Sequence, residues 1–249
     1  MESFYDALAP YYKTIYRDWD ASVERQANVL ESVIREFFGE KVHTILDAAC
    51  GIGTQAIGLA ARGYELSASD ISEAELELAR RNAAQRGLEI QFRVADMRRV
   101  TQVYERKFDL VIACDNAIPH LLSDAEILGT FKEFYACTSP QGGCMFSVRD
   151  YAVMERGGKQ IHPRTLHETP EARMLVVDVW EFDGDCYDLS MYVITDRGSD
   201  GASTQVIRGG RYYCVSIARL EELLRQAGFP RVVTLRDRFF QPLLVGLKE

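Results

Sequence analysis

No stretch of the 249-residue chain approaches the roughly 20 consecutive apolar residues that a membrane span requires. The opening Met1-Glu2-Ser3-Phe4-Tyr5-Asp6 has neither a basic start nor an apolar run. These absences predict a soluble, cytoplasmic protein with no membrane partner. Paired cysteines are missing too. Cys50, Cys114, Cys137, Cys144, Cys186 and Cys214 are scattered, with no Cys-x-x-Cys motif and no histidine at zinc-ligand spacing. That pattern predicts free thiols in a reducing compartment and no metal. Positive charge is in deficit: 29 Lys and Arg against 37 Asp and Glu leave a net charge of −8. Such a surface repels a polyphosphate, and the densest basic cluster, Arg98-Arg99 with Arg106-Lys107, is small and mixed with acids, so nucleic acid is not an expected partner. Internal repeats, low-complexity tracts and linkers are also absent, which predicts one domain over residues 1–249.

What is present is a regular alternation. Two segments with helical spacing, Phe4–Tyr16 and Ala21–Phe38, come first, and the former is dense in tyrosine. Short apolar runs at Val42–Leu46, Tyr64–Ser69, Ile90–Val94, Phe108–Ala113 and Cys144–Val148 then alternate with helical stretches. Two of those helices open on Ser-x-x-Glu boxes, Ser72/Glu75 and Ser123/Glu126. This order predicts an α/β fold: a Rossmann-like, doubly wound, mostly parallel seven-stranded sheet covered by helices on both faces. Asp150 to about Pro170 reads as a loop. Arg173–Phe182, Tyr187–Thr195 and Ser203–Cys214 read as antiparallel strands of an inserted cap, followed by a helix at Ser216–Gly228 and two closing strands. The expected plan is a helical cap over 1–40, a cofactor-binding half over 41–150, an antiparallel insertion over 151–214 and a closing segment over 215–249.

The chemistry concentrates where the predicted strands end. Asp47-Ala48-Ala49-Cys50-Gly51-Ile52-Gly53 takes a strand through a glycine turn into a helix, the arrangement that lets a ligand approach the backbone. Gly51, Gly53 and Ala56 also satisfy the dinucleotide pattern G-x-G-x-x-G/A, so the turn alone does not choose between cofactors. Asp47 favours a cationic ligand over a pyrophosphate. Asp70, about twenty residues on, is placed to accept from ribose hydroxyls. Asp96 and Met97, with Ile71, are placed to receive a purine. An isolated Asp after a strand is ordinarily a turn or helix cap; several successive strands ending this way point to one crevice.

Together, Asp47-x-x-x-Gly51-x-Gly53, Asp70, Asp96-Met97 and Phe108-Asp109-Leu110-Val111 resemble the class I S-adenosylmethionine-dependent methyltransferases over roughly residues 40–150. Tyr16 through Arg25, Asn116 with His120-Leu121, Val148-Arg149-Asp150-Tyr151 and Arg211-Tyr212-Tyr213 resemble glycine N-methyltransferase more narrowly. The resemblance implies S-adenosylmethionine as cofactor, with S-adenosylhomocysteine as product. It implies methyl transfer to a small-molecule acceptor, the amine of glycine or sarcosine. Carried over by position, Trp19 and Arg25 would hold the methionyl end, and Tyr12, Ala49 and Cys114 join Asp47, Gly51, Gly53, Asp70, Ile71, Asp96 and Met97 in the cofactor set. Asn116 and Arg149 would hold the acceptor carboxylate, while Tyr5, Tyr12 and Tyr213 would line the transfer cavity. His120 is open to a general-base role or to structural hydrogen bonding. Asp115 departs from the family, which has a glycine there, and no oligomeric state carries over, so a homo-oligomer stays open. Three other readings also stand: another small amine or hydroxyl acceptor, a non-catalytic S-adenosylmethionine-binding protein, and a nicotinamide oxidoreductase.

Overall fold

The computed structural model describes residues 2–248. The chain begins with α1 (Glu2–Leu8), which passes into a 3-10 turn over Ala9–Ile15. The spacing predicts one helix there, but Pro10 has no N–H for an α-helical bond and tightens the chain instead. Helix α2 (Trp19–Phe38) starts where the Asp18 carboxylate accepts from the Ala21 N–H at 2.9 Å, and it ends at Gly39. Trp19, Val23, Ala27, Leu30 and Ile34 recur on its buried face.

The main sheet contains β1 (Thr44–Asp47), β2 (Glu65–Asp70), β3 (Gln91–Val94), β4 (Phe108–Ala113), β5 (Thr138–Ser147), β10 (Arg231–Leu235) and β11 (Leu243–Leu247). Their spatial order is β10-β11-β5-β4-β1-β2-β3, with only β11 antiparallel to its neighbours. Helices α3 (Thr54–Ala60), α4 (Glu73–Ala84), α5 (Asp124–Cys137) and α6 (Ile217–Ala227) make the crossovers. The central strands β1, β4 and β5 carry apolar residues on both faces. Leu46, Val111 and Phe146 point into one core, and Ile45, Leu110 and Met145 into the other. From β1 the chain builds outward through β2 and β3, then returns to lay β4 on the other side of β1. The crevice outside the carboxyl ends of β1 and β4 is therefore the switch point of the sheet.

Between β5 and α6 a second, wholly antiparallel sheet is inserted: β6 (Lys159–Glu168), β7 (Arg173–Asp183), β8 (Cys186–Asp196) and β9 (Ala202–Tyr213). Strand β6 occupies part of the stretch that reads as a loop. It carries Lys, His, Pro and Arg in place of an apolar alternation, and it extends because β7 offers a partner edge. One face of this sheet packs on α1 through Phe4, Leu8, Val176, Leu189 and Met191. The Tyr187 ring stacks between Trp180 and Tyr212, with centroids 4.6 and 4.9 Å away. No helix among the described residues is long and apolar enough to cross a membrane.

Candidate active site

A cavity of about 230 Å³ opens at the switch point. Its floor is the turn after β1, its side the ends of β2 and β3, and its roof the tyrosines of the amino-terminal segment. Asp70, at the end of β2, is held by two backbone donors: Gly51 N–H at 2.8 Å on Oδ2 and Ser72 N–H at 3.1 Å on Oδ1. Each oxygen keeps a lone pair free for a ligand. Burial raises the pKa of this carboxyl, and the two amides act against the rise.

Gly51 has φ +51°, and a Cβ there would meet Glu75 Oε2 at 3.2 Å and the Tyr12 hydroxyl at 3.4 Å. Glu75 reads as the second half of a capping box. In the structure Ser72 Oγ does accept from the Glu75 N–H at 3.2 Å, but the Ser72 N–H goes to Asp70, which releases the Glu75 side chain to line the cavity. Its Oε1 is buried without a partner, and burial followed by the Asp70 charge raises its pKa well above the carboxylate range.

Ile71 and Met97 flank the cavity, and Ala49, Cys114 and Tyr12 line it, so these five sites and Gly51, Asp70 and Asp96 are brought together. Asp96 is engaged: Arg98 grips both its oxygens, with Nε at 2.9 Å and Nη2 at 2.6 Å from Oδ2, and also reaches Glu126 at 3.0 Å. Burial opposes ionisation of Asp96, but the Arg98 contacts outweigh it and hold the pKa below its ordinary value.

Other expected cofactor residues lie elsewhere. Asp47 is wholly buried beneath the floor, with neither oxygen hydrogen-bonded, and burial together with the Asp70 charge pushes its pKa up to about 7. Gly53 caps α3 with φ +88°, and a Cβ would meet Ile57 at 3.0 Å, so its requirement is packing within the turn. Trp19 stands one layer back: its indole N–H donates to Thr54 Oγ1 at 2.9 Å, and it is Thr54 that lines the cavity. Arg25 is exposed in an adjoining groove with Arg164 and Phe240, which shares Tyr16 and Asp115 with the cofactor cavity but does not place Arg25 in its lining.

A second cavity of about 40 Å³ lies behind a wall of Tyr5, Tyr12 and Asp115, residues that line both spaces. Asp115 and Asn116 both have positive φ, +57° and +67°, in the tight turn after β4. Asp and Asn are the side-chain-bearing residues that enter that region most readily, so the turn is built from types that fit it. Asn116 is buried and committed. Its carbonyl accepts from the Arg149 N–H at 3.0 Å and its amide donates to the Tyr151 hydroxyl at 2.8 Å.

The Arg149 guanidinium faces this second cavity, lies 5.1 Å from the Trp180 ring centroid and donates to the Tyr187 hydroxyl at 3.2 Å. It has no carboxylate partner among the described residues. Burial disfavours its charge, but the surrounding tyrosine oxygens raise its pKa and keep it cationic. Arg164, on the strand read as a loop, also lines this cavity and pairs with the buried Asp178 at 3.1 Å.

The tyrosine that reaches the wall is Tyr212, whereas Tyr213 points outward and donates to Asp124 at 3.1 Å. The register explains the exchange: Leu189 pairs with Gly210 and Ser190 with Arg208, so Gly209 is an extra residue that inverts the alternation of β9. His120 Nδ1 donates to the Arg211 carbonyl at 3.1 Å, leaving Nε2 to accept from the Tyr5 hydroxyl. Burial drives its pKa down to about 3, so the ring is neutral and structural.

The description of a methyltransferase domain matches residues 45–142, the segment that runs from β1 into β5. The chain is 34% identical over 104 residues to the putative methyltransferase YqeM of Bacillus subtilis, covering 42% of this chain and 41% of that protein. It is 28% identical over 156 residues to a glycine/sarcosine N-methyltransferase of Aphanothece halophytica, covering 61% and 59%. These alignments span less than two thirds of either relative. Among solved structures, the S-adenosylmethionine-bound amino pentose methyltransferase CalS10 of Micromonospora echinaspora superposes with a TM-score of 0.81 at 16% identity, covering 96% of this chain and 95% of that one. Streptomyces venezuelae DesVI gives 0.79 at 18%, covering 98% of both chains. The fold is therefore that of these methyltransferases.

Proposed function

We propose that this chain, whose residues 45–142 match a methyltransferase domain within a Rossmann-like fold, is a class I S-adenosylmethionine-dependent methyltransferase that methylates a small acceptor bearing a carboxylate. The first cavity fits the cofactor. Asp70 offers two acceptor oxygens for the ribose, Ile71 and Met97 give apolar faces for a purine, and the unpaired acids Glu75 and Asp47 favour a cation nearby. Asp96 holds Arg98 in place along the purine side. When bound, the cofactor supplies an electrophilic methyl group on a sulfonium.

The observation that carries the acceptor reading is Arg149: a cation facing a small cavity, with aromatic rings around it and, among the described residues, no carboxylate bonded to it. A planar guanidinium in that setting is suited to a carboxylate. Asn116 sets the main chain of Arg149 and so positions it. An acceptor anchored there turns its amine toward the wall of Tyr5, Tyr12 and Asp115. The protein's part is to align and to exclude water. With His120 neutral and its Nε2 occupied, no dedicated base is assigned. Glycine and sarcosine, the acceptors in the name of the Aphanothece relative, meet this description.

The test is transfer of labelled methyl to glycine and sarcosine, compared with methylamine and with aromatic amines and phenols. Methylation of the amino acids and not of methylamine is the expected result. Equal rates on methylamine would remove the carboxylate from the reading, and inactivity toward the amino acids with cofactor binding intact would redirect it to another amine or a hydroxyl.

A further inference from the structure

The inserted sheet has a second face, which no other element of the described chain covers. Strand register assigns its residues. Val176 and Asp178 point into the core, so Leu175, Val177 and Val179 point away from it. Across the sheet at the middle level, Val177 is flanked by Pro163 on β6 and Tyr192 on β8, and Tyr192 by Val206 on β9. The levels on either side carry Ile161 beside Val179, continued by Ser190 and Arg208, and Leu166 beside Leu175 and Ile194, continued by Thr204. Ile161 is 70% exposed, Leu166 56% and Leu175 36%, and none of these residues belongs to a core cluster. A contiguous apolar surface of this kind marks an interface.

The charges that bracket the surface identify its occupant. At one end runs the row Lys159, Glu181, Asp188, Arg211, and at the other Glu168, Arg173, Asp196. We propose that this face binds a second copy of the chain, sheet against sheet, about a twofold axis that crosses the strands at the level of Val177. Such an axis lays each charged row over the opposite row of the partner. Lys159 then faces Glu168 of the partner subunit, and Glu181 faces Arg173 of the partner subunit, each twice by symmetry. Asp188 falls opposite Asp196 of the partner subunit, with Arg211 and Arg173 beside them in their own rows. The alternative axis, parallel to the strands, sets Arg173 against Asp196 of the partner subunit but puts Lys159 against Arg211 of the partner subunit and Glu181 against Asp188 of the partner subunit, so two of its three kinds of charged pairing are like on like, against one of three for the first axis. Charge complementarity therefore selects the first axis. The sheet edge is not the contact, because Pro163 and the bulge between Pro163 and Thr165 unsuit β6 for strand addition.

Sedimentation velocity on the full chain at micromolar concentration tests the proposal, with methyl transfer and circular dichroism as controls for folding. The wild type is expected at twice the chain mass. Lys159→Glu and Glu168→Lys are each expected to weaken dimerisation about tenfold, and the double variant K159E/E168K to restore it. Val177→Asp is expected to give an active monomer. A wild type that sediments as a monomer, a Val177→Asp variant that remains a dimer, or a double variant no better than the two single ones would each overturn the proposal. Cofactor binding and activity are read separately, so failure here leaves the proposed function untouched.

Discussion

The two cavities that meet at Tyr5, Tyr12 and Asp115 are built on opposite principles. The cofactor cavity is assembled mainly from strand ends and the turns that follow them, under a roof of amino-terminal tyrosines, and of its acids Asp70 is held by neighbouring amides and Asp96 by Arg98, while Glu75 keeps one buried oxygen without a partner. The acceptor cavity draws Phe4, Asn116, Arg149, Arg164 and Tyr212 from five distant stretches, and its dominant group is one unpaired cation. A local site tolerates change in the rest of the chain. A site gathered from afar depends on every element that delivers a residue to it, and that is where an acceptor preference can drift while the cofactor stays fixed.

The sharpest way to separate the two is Asp70→Asn. Replacing one of its two backbone-bonded oxygens with an amide nitrogen removes a charged acceptor worth about 3 kcal/mol, so S-adenosylhomocysteine affinity should fall about 100-fold by calorimetry. Arg149→Ala addresses the other side. It should raise the KM of a carboxylate acceptor about 30-fold, with cofactor affinity unchanged; a matching loss of cofactor affinity would show that the two cavities are not independent.

Asp47→Asn probes the floor. A carboxyl whose folded pKa lies near 7 costs stability once the pH passes its unfolded value of about 4, and the cost grows until about pH 7. The variant should therefore melt several degrees higher than wild type at pH 8 and close to it at pH 4, on the order of 2–4 kcal/mol at the upper end. The smallest effect is a contrast of neighbours. Tyr213→Phe should change kcat/KM less than about twofold, whereas Tyr212→Phe, which removes a hydroxyl from the acceptor wall, should lower it about tenfold.

The same division governs what could be read from the residues alone. Strand ends, the glycine turn and Asp70 lie within short windows whose periodicity and turn chemistry announce them, and the sheet class follows from their alternation. Strand β6 was hidden because an edge strand needs no apolar alternation, and Arg164 was hidden with it. Glu75 carried a signal that pointed to capping, and only the competing bond from Ser72 to Asp70 frees it. Arg25 and Trp19 enter the cofactor set only through resemblance, and the packing of α2 puts one in an adjoining groove and the other behind Thr54. Tyr213 was lost to a one-residue shift that no periodicity argument contains.

That shift has a use. Gly209, at φ +106°, acts on β9 as a frameshift acts on a reading frame. Before it, even-numbered residues such as Val206 face outward; beyond it, Tyr212 faces inward and Arg211 joins the outer charged row. One strand thus serves two surfaces in two different phases, so each surface can be revised without rewriting the other. Deleting this single glycine would close the bulge and leave Gly210 beside Arg208 in plain alternation, with Tyr212 still opposite Tyr187 on the inner face.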